Sequence, residues 1–347
     1  MNTIPSAGRA ASVLNAGAVA TGKMPAAVYR RFGPPEVVRI EDVAVPTPQR
    51  DEILVRVRAS TVSIADHRAR SRSVPRGLQL LAAVGLGFFR PRHRILGMDA
   101  AGVVEAVGAD VTLFVPGDEV ITMLGSRWGG HGQYVCVKQN GAVTAKPRNM
   151  TFDEAVTLVF GGSTARSYLN QVQITPGDSV LVNGASGAVG TAAVQLAKEL
   201  GAHVTGVCSA ANAGLVTSLG ADRVIDYRTE DFSADGRTYD VIVDCVGNAA
   251  FDRVDASLRP GGALLLVITD LGGMIRAPRQ SRKSGKLVTS RVGVMRAEDL
   301  AYLVGLAESG RYRPVIDRSF DLADIVEAHR YVDAGHKKGN VVLRVSR

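Results

Sequence analysis

Three glycines at a regular spacing, Gly184, Gly187 and Gly190, follow the apolar run of residues 179–183. The pattern G-x-x-G-x-x-G between a strand and a helix is typical of a loop that binds nucleotide phosphates. The first glycine makes the turn, the second lets the backbone approach a pyrophosphate, and the third lets the helix pack on the strand. The positive end of that helix then faces the phosphate. A second apolar run, residues 203–208, follows within about 30 residues, so the sequence predicts a dinucleotide-binding βαβ unit.

The end of the second strand indicates which dinucleotide binds. NAD-binding proteins place a carboxylate here, roughly 20 residues after the glycines, where it binds the ribose 2′-hydroxyl. Residues 207–212 read VCSAAN and include Ser209 but no acidic residue, so NADP(H) is favoured over NAD(H). A cation for the 2′-phosphate is missing from this segment as well. Four residues elsewhere in the chain are candidates for that contact: Tyr227, Arg228, Lys337 and Lys338.

The composition indicates a globular protein of two domains. The chain has 347 residues, 46% of them apolar and 21% charged, and it exceeds the roughly 250–300 residues at which one core stops growing. Three cysteines lie far apart in apolar runs, which is typical of a reducing compartment and leads us to expect a cytoplasmic location. No apolar run reaches the roughly 18 residues of a membrane helix, so we expect no membrane partner.

The net charge of +8 raises the question of a polyanionic partner. Three arginine-rich runs, residues 68–76, 89–94 and 276–286, almost lack the interleaved aromatic side chains on which single-strand binders stack bases. We therefore expect no nucleic-acid partner, and we assign the charge to solvated surface and to attraction of an anionic cofactor.

Two patterns of secondary structure divide the chain and indicate an α/β fold. From residue 24 to about 147, short β segments alternate with Pro/Gly turns, which predicts a barrel-like β domain. From 148 to 295, strand-length apolar runs alternate with helical stretches, which predicts a doubly wound parallel sheet. Residues 1–23 are rich in small residues and are expected to form a disordered extension.

Six ordered blocks carry a resemblance to a known family: residues 95–120, 176–209, 219–227, 239–247, 258–267 and 328–343. The chain resembles the medium-chain dehydrogenase/reductase superfamily, in particular its zinc-independent quinone oxidoreductase-like branch, which includes the mitochondrial reticulon-interacting homologues. The resemblance implies a GroES-like catalytic domain (24–147), an inserted Rossmann domain (148–295), a return of the chain to the catalytic domain (296–347) and NAD(P)H in the cleft. It also implies a homodimer through the edge of the Rossmann sheet, for which residues 262–269 are the expected edge strand.

Zinc alcohol dehydrogenases of this superfamily place a Cys in the segment that here reads STVSIADHR and a His-Glu pair in the one that reads ILGMDAAG. This chain has Ser63 at the first place and Met98 and Asp99 at the second. A catalytic zinc needs roughly three N or S ligands plus an open position, and neither a thiolate nor an imidazole is supplied at these places. We therefore expect no metal site.

The quinone reductase pattern implies three catalytic candidates, Ser63, His67 and Arg68. Relatives have Asn at the position of Ser63 and Tyr or Lys at that of Arg68. The Arg68 guanidinium can steady an enolate but cannot deliver a proton near neutral pH, which leaves His67 or water as the proton source. Two structural alternatives stay open: Asp66 caps the helix that begins here, and Arg68 lies on its solvent face.

The predicted cofactor contacts lie at the carboxyl ends of the parallel strands, where open α/β sheets bind ligands. The resemblance adds Thr164, in a small-residue helix start, and Gly247, after the run YDVIVDCV. Relatives have a Lys at the position of Asn340, so one cofactor contact of the family is missing here. The full set is Thr164, Gly184, Ala185, Ser186, Gly187, Ala188, Val189, Gly190, Ser209, Tyr227 and Gly247.

A site without a Lewis acid favours acceptors whose reduced form delocalises its charge, such as an enone or a quinone. The sequence thus predicts an NAD(P)H-dependent quinone or enone oxidoreductase acting on a small-molecule acceptor. Two loops, residues 73–94 and 268–283, are expected to line the mouth of the site. The alternatives are a metal-free alcohol or aldehyde oxidoreductase, and a cofactor-gated protein that binds RNA or another protein.

Overall fold

The first part of the chain forms an antiparallel β domain, as seen in the computed structural model, which describes residues 22–346. The predicted extension, residues 1–23, lies outside the described residues except for its last two, and Lys23 already opens the first strand. The strands are β1 Lys23–Tyr29, β2 Val38–Ala44, β3 Glu52–Thr61, β4 Asp99–Val107, β5 Glu119–Met123, β6 Tyr134–Lys138 and β7 Val143–Ala145. Helices α1 Ile64–Ser71 and α2 Gln79–Leu86 lie between β3 and β4.

A helical segment then leads into the second domain. It consists of α3 Phe152–Val156, a π-helical turn Leu158–Gly162 and α4 Ser163–Leu169. Thr151 caps α3, because its hydroxyl accepts the amide of Glu154 while the Glu154 carboxylate accepts the amide of Thr151.

Strands and helices alternate in the second domain. They are β8 Ser179–Asn183, α5 Ala188–Glu199, β9 His203–Cys208, α6 Ala213–Ser218, β10 Arg223–Asp226, β11 Tyr239–Asp244, α7 Phe251–Val254, β12 Leu258–Leu266, α8 Leu271–Ser284 and β13 Leu287–Thr289. The six strands are parallel in the order β10-β9-β8-β11-β12-β13. The predicted α/β architecture with a doubly wound parallel sheet is confirmed.

The last part of the chain comprises α9 Ala297–Glu308, β14 Ile316–Asp321, α10 Ile325–Asp333 and β15 Asn340–Arg344. Strand β15 pairs with β3, so it joins the sheet β14-β15-β3-β4-β5-β7, in which β6 also pairs with β3. Short 3-10 turns occupy Pro35–Val37, Gly125–Arg127, Ala210–Asn212, Asp255–Ser257 and Leu322–Asp324.

Two expectations are wrong. Residues 262–269 do not form the edge of the parallel sheet, because β12 lies between β11 and β13, and the three-residue β13 is the edge. Residues 73–94 and 268–283 are not loops throughout, since α2 and α8 occupy much of them. The first difference arises because α8 brings the chain back to place β13 beside β12, which no local pattern in the sequence indicates.

Candidate functional site

The glycine loop turns sharply between β8 and α5. Gly184 has a φ of +80°, and a Cβ there would lie 2.8 Å from the Val246 side chain. A Cβ on Gly190 would lie 2.1 Å from the Gly184 carbonyl oxygen, so only glycine allows this packing. Helix α5 begins at Ala188, and Gly187 is its extended N-cap residue.

Gly187 is not crowded, since the one neighbour that an added Cβ would meet within 4 Å is the Gly184 carbonyl oxygen, at an ordinary contact distance of 3.6 Å. The amides of Ala185 and Gly187 are bonded to the carbonyls of Val207 and Gly184. The first-turn amides of α5, from Ala188 through Val189, have no partner within the helix, as at any helix N-terminus. The loop therefore offers amide donors and a positive dipole end to an anion.

The π-helical turn fixes α4 against the start of α5. A Cβ on Gly161 would lie 2.5 Å from the Ala188 carbonyl oxygen, so glycine permits direct contact of the two elements. Thr164, in the first turn of α4, is 8% exposed. Beside it, the buried Ser163 hydroxyl finds no partner among the described residues. Two hydroxyl groups thus lie close to the glycine loop, and the sequence interpretation had noted only Thr164.

The carboxyl ends of β9 and β10 bring Ser209 and Tyr227 to the same edge of the sheet as the glycine loop. The side-chain Nδ2 of Asn212 donates to the Ser186 hydroxyl at 3.1 Å. The buried Oδ1 of the same side chain has no partner in the described part of the chain. Tyr227 is 54% exposed, and the Arg228 guanidinium lies 5.8 Å from its ring centroid. This edge combines a cation with an unused acceptor. Asn212 was not predicted, although it ends the VCSAAN segment.

The end of β11 is shaped by a buried carboxylate that the sequence interpretation missed. Asp244 is fully buried and accepts hydrogen bonds from the amides of Val246, Gly247 and Ala249 and from the Asn183 side chain. Gly247 has a φ of +93°, a conformation that favours glycine. The sequence does contain a signal for this carboxylate, because Asp244 ends an apolar run and is followed three residues later by Gly247.

The C-terminal segment contacts the glycine loop directly. The Gly339 amide donates to the Ser186 carbonyl at 2.8 Å, and the Lys337 ammonium donates to the Gly339 carbonyl at 2.7 Å. Lys337 is half-buried, and burial lowers its pKa from 10.5 to about 8. Asn340 is 5% exposed and donates to the Val315 carbonyl, so its side chain is engaged within the fold.

The start of α1 holds Ser63 in a capping box. The Ser63 hydroxyl accepts the amides of Ala65 and Asp66, and it donates to the Asp66 carboxylate at 2.6 Å. Asp66 also accepts the amides of Ser63 and Gly97 and is fully buried. Asp66 therefore caps the helix, which is the structural alternative stated for this residue. The proton of the Ser63 hydroxyl is directed to the Asp66 carboxylate.

His67 points toward α10, not toward the glycine loop. Its Nδ1 lies 2.6 Å from the Asp333 carboxylate, and the fully buried Arg70 binds the same carboxylate at 2.7 and 2.5 Å. His67 and Arg70 are three residues apart on α1 and so share one face of the helix. Asp333 was not predicted, because it is separated from His67 by 266 residues.

Arg68 lies about 100° around the helix from His67. Its side chain is half-buried, and burial lowers the pKa of the guanidinium. Among residues 22–346 no hydrogen bond or ion pair neutralises it, whereas Arg70 two positions later forms an ion pair with Asp333. A partly desolvated guanidinium without a partner is suited to meeting an anion that arrives from outside the protein.

Strand β15 links the start of α1 to the glycine loop. The Val62 amide donates to the Val341 carbonyl at 2.9 Å, and two residues earlier Gly339 is bonded to Ser186. The N-terminal end of α1 and the glycine loop therefore lie on either side of residues 339–341.

A cavity of about 390 Å³ opens beside the carboxyl ends of β11 and β12. Its lining includes Gly247 and Ile268 from the second domain and Pro75 from the first. Its position next to Gly247 gives a second molecule a place beside a dinucleotide bound on the loop.

The residues present fit a dinucleotide, on three observations. Gly187 leaves room for a phosphate, the Asn212 Oδ1 is buried without a partner among the described residues, and the half-buried Lys337 brings an ammonium to the same loop. The cofactor contacts proposed from the sequence are assembled at one edge of the sheet. Their roles in binding remain predictions.

The comparisons with known proteins agree with this geometry. Residues 49–148 match the family described as alcohol dehydrogenase GroES-like domain, and residues 219–343 match zinc-binding dehydrogenase. A chloroplastic quinone oxidoreductase of Triphysaria versicolor is 31% identical over 87% of this chain and 92% of its own. The chain belongs to the medium-chain dehydrogenase/reductase superfamily, in its quinone oxidoreductase-like branch.

Two further members of the superfamily show the same likeness. A mitochondrial NAD(P)H oxidoreductase of Mus musculus is 32% identical over 93% of this chain and 89% of its own. The solved quinone oxidoreductase of Coxiella burnetii superposes with a TM-score of 0.84 at 28% identity, covering 94% of this chain and all of that one. Membership makes the chain an oxidoreductase of a superfamily that uses NAD(P)H, with the predicted GroES-like and Rossmann domains.

The family description raises the question of zinc, and the donor set does not fit it. Ser63 is committed to the helix cap, and Asp99 is fully buried with its oxygens bonded to the Thr61 amide, the Thr61 hydroxyl and the Ser60 hydroxyl. Burial raises the pKa of Asp99 to about 7, and both of its carboxylate oxygens are already engaged by these three donors. No group of three or more His, Cys, Asp or Glu side chains with metal-binding geometry occurs within residues 22–346.

No helix between residues 22 and 346 has the length and apolar character that crossing a membrane requires.

Proposed function

We propose that the chain is a zinc-independent, NADPH-dependent reductase of quinones, enones or similar activated carbonyl compounds. The observation that carries the proposal is Arg68, a half-buried guanidinium without a partner in the described chain, on the helix whose start lies beside the glycine loop. An acceptor of this class develops negative charge on its oxygen as it is reduced. A preorganised, partly desolvated cation stabilises such a charge more strongly than water does.

When bound, the dinucleotide supplies the hydride. The chain's part is to hold the dinucleotide on the glycine loop and to stabilise the acceptor oxygen with Arg68; the cavity beside Gly247 offers space next to the bound dinucleotide. Gly247 is fixed by the Asp244 carboxylate, so the cavity wall is rigid where orientation matters. We assign the proton that completes the reduction to water, because the Nδ1 of His67 is held by Asp333 and its side chain faces α10.

The preference for NADPH rests on the strand ends. No carboxylate within residues 207–212 repels a 2′-phosphate, and Arg228 lies against Tyr227 at the end of β10. Cytoplasmic location and a homodimer remain predictions. Light scattering of the purified chain tests the second.

The test is oxidation of NADPH and of NADH by a panel of quinones, enones, aldehydes and alcohols, followed at the nicotinamide absorbance band with and without a chelator. We expect oxidation of NADPH by a quinone or enone at a rate the chelator leaves unchanged. Chelator-sensitive turnover of alcohols would refute the proposal. Tight NADPH binding without turnover of any acceptor would favour the cofactor-gated binding protein.

A further inference from the structure

A protruding segment of the first domain exposes large apolar side chains. It comprises α2 and the residues that flank it, residues 72–94, and we name it the basic apolar lobe. Leu80 is 67% exposed, Leu81 58% and Val84 49%, and the following turn exposes Phe88 by 51% and Phe89 by 94%. Soluble monomers rarely expose this much apolar surface in one place unless it contacts another molecule.

The lobe is positively charged throughout. Residues 72–94 contain five arginines and no acidic residue. Arg76, Arg90 and Arg92 are exposed and make no side-chain hydrogen bond or ion pair with any residue in the described range, whereas arginines elsewhere, such as Arg50, pair with carboxylates. The lobe therefore presents unneutralised guanidinium groups next to bare apolar side chains.

The same character continues onto the second domain. Residues 271–286 contain three arginines and two lysines but no acidic residue, and α8 exposes Met274 by 41% and Ile275 by 68%. The two surfaces meet where the Leu271 amide donates to the Arg76 carbonyl at 3.1 Å. Pro75 lines the cavity beside Gly247 at this junction. The basic apolar surface thus borders the opening of the candidate site.

We propose that the basic apolar lobe adsorbs to the surface of an anionic lipid bilayer, with its leucine and phenylalanine side chains at the boundary of headgroups and acyl chains. A lipid surface offers both an anionic phosphate layer and an apolar layer directly beneath it. A second copy of the chain brings the same positive charge and is repelled. A nucleic acid neutralises the arginines but leaves the apolar side chains in water.

Adsorption differs from spanning. The sequence led us to expect no membrane partner because no run is long enough to cross a bilayer, but surface binding needs only a short apolar face and basic residues. One consequence rests on the proposed function: the adsorbed reductase takes an apolar quinone or enone from the lipid through the opening beside Pro75.

The experiment measures sedimentation of the purified full chain with vesicles, without cofactor or acceptor. Vesicles of phosphatidylcholine alone are compared with vesicles in which roughly a third of the lipid is phosphatidylglycerol. We expect binding to the anionic vesicles only, weakened by added salt. R90Q/R92Q is expected to lower the partition coefficient by about 25-fold, since each arginine near the surface contributes about fivefold, and L81S/F89S is expected to lower it as well.

Two control variants match these changes elsewhere in the chain. R31Q/R39Q removes the same charge from exposed positions near β2, and L113S/V115S alters side chains that are 60% and 61% exposed. Circular dichroism verifies that each variant is folded. The proposal would be overturned by an equal loss of binding in lobe and control variants, by equal binding to both vesicle types, or by no binding at all. It would also be overturned if the lobe supported self-association or RNA binding but no vesicle binding.

The two proposals fail separately. Vesicle binding is measured without turnover, and turnover is measured with a water-soluble quinone in the absence of lipid. Loss of the first leaves the reductase proposal standing, and absence of the second leaves the lipid contact standing.

Discussion

Lys337 is expected to make cofactor binding dependent on pH. In the absence of a dinucleotide its ammonium donates to the Gly339 carbonyl, and burial lowers its pKa to about 8. The opposing charge is Asp317, which raises this pKa, but the Asp317 carboxylate already accepts the Tyr331 hydroxyl and the Lys338 amide. The positive charge of the ammonium is therefore only partly neutralised by Asp317, and it lies next to a loop suited to binding phosphate.

A dinucleotide phosphate on this loop raises the pKa of Lys337 back toward its usual 10.5. A rise of one to two in the pKa of Lys337 on binding corresponds to a gain in binding free energy of about 1.4 to about 2.7 kcal/mol, or roughly ten- to a hundredfold in Kd. The sign follows from the direction of the shift: affinity is fully present below about pH 8, where Lys337 is charged in the free protein, and it falls as the pH rises through that value. We expect NADPH to bind about five- to tenfold more weakly at pH 9 than at pH 7.

The assay is equilibrium titration of the apoprotein with NADPH, followed by fluorescence at several pH values between 7 and 9, together with calorimetry in two buffers of different ionisation enthalpy. Wild-type protein should take up protons on binding near pH 8.5. The K337Q variant should bind more weakly at pH 7 and lose both the pH slope and the proton uptake. K23Q removes the same charge from an exposed position in β1 and should change little. A K337Q variant with wild-type affinity and slope would refute the reasoning.

Four further predictions test individual residues. R68Q should lower kcat with a quinone or enone by about a hundredfold while the Kd for NADPH stays unchanged, and an equal loss in R31Q, an exposed arginine, would contradict this. S63A should lower the free energy of unfolding by about 1 kcal/mol, as measured by chemical denaturation, with turnover retained; the opposite pattern would indicate a catalytic hydroxyl instead of a cap. G190A should weaken NADPH binding at least tenfold because its Cβ would lie 2.1 Å from the Gly184 oxygen, whereas G214A, with nothing within 4 Å, serves as the control. R228Q should weaken binding of NADPH but not of NADH, and equal weakening of both would show that Arg228 does not bind the 2′-phosphate.

The candidate site shows where local sequence patterns stop being informative. Gly184, Gly187 and Gly190 could be assigned to a phosphate loop because their roles depend on neighbours a few residues away. Ser63 and His67 could not be assigned from the same kind of evidence. The hydroxyl of Ser63 is committed to Asp66 and the imidazole of His67 to Asp333, and the second of these contacts joins helices that are far apart in the chain.

The sequence by itself determined the alternation of strands and helices, the α/β class and the dinucleotide loop, because side-chain periodicity and glycine conformations are properties of short segments. Only the tertiary structure decided which strand forms the edge of the sheet, that Lys337 lies at the glycine loop and that Arg68 is left without a partner in the described chain. These features depend on how β15 returns to β3 and how α10 packs on α1. Such contacts between distant segments are set by the path of the whole chain, and no spacing within one segment encodes them.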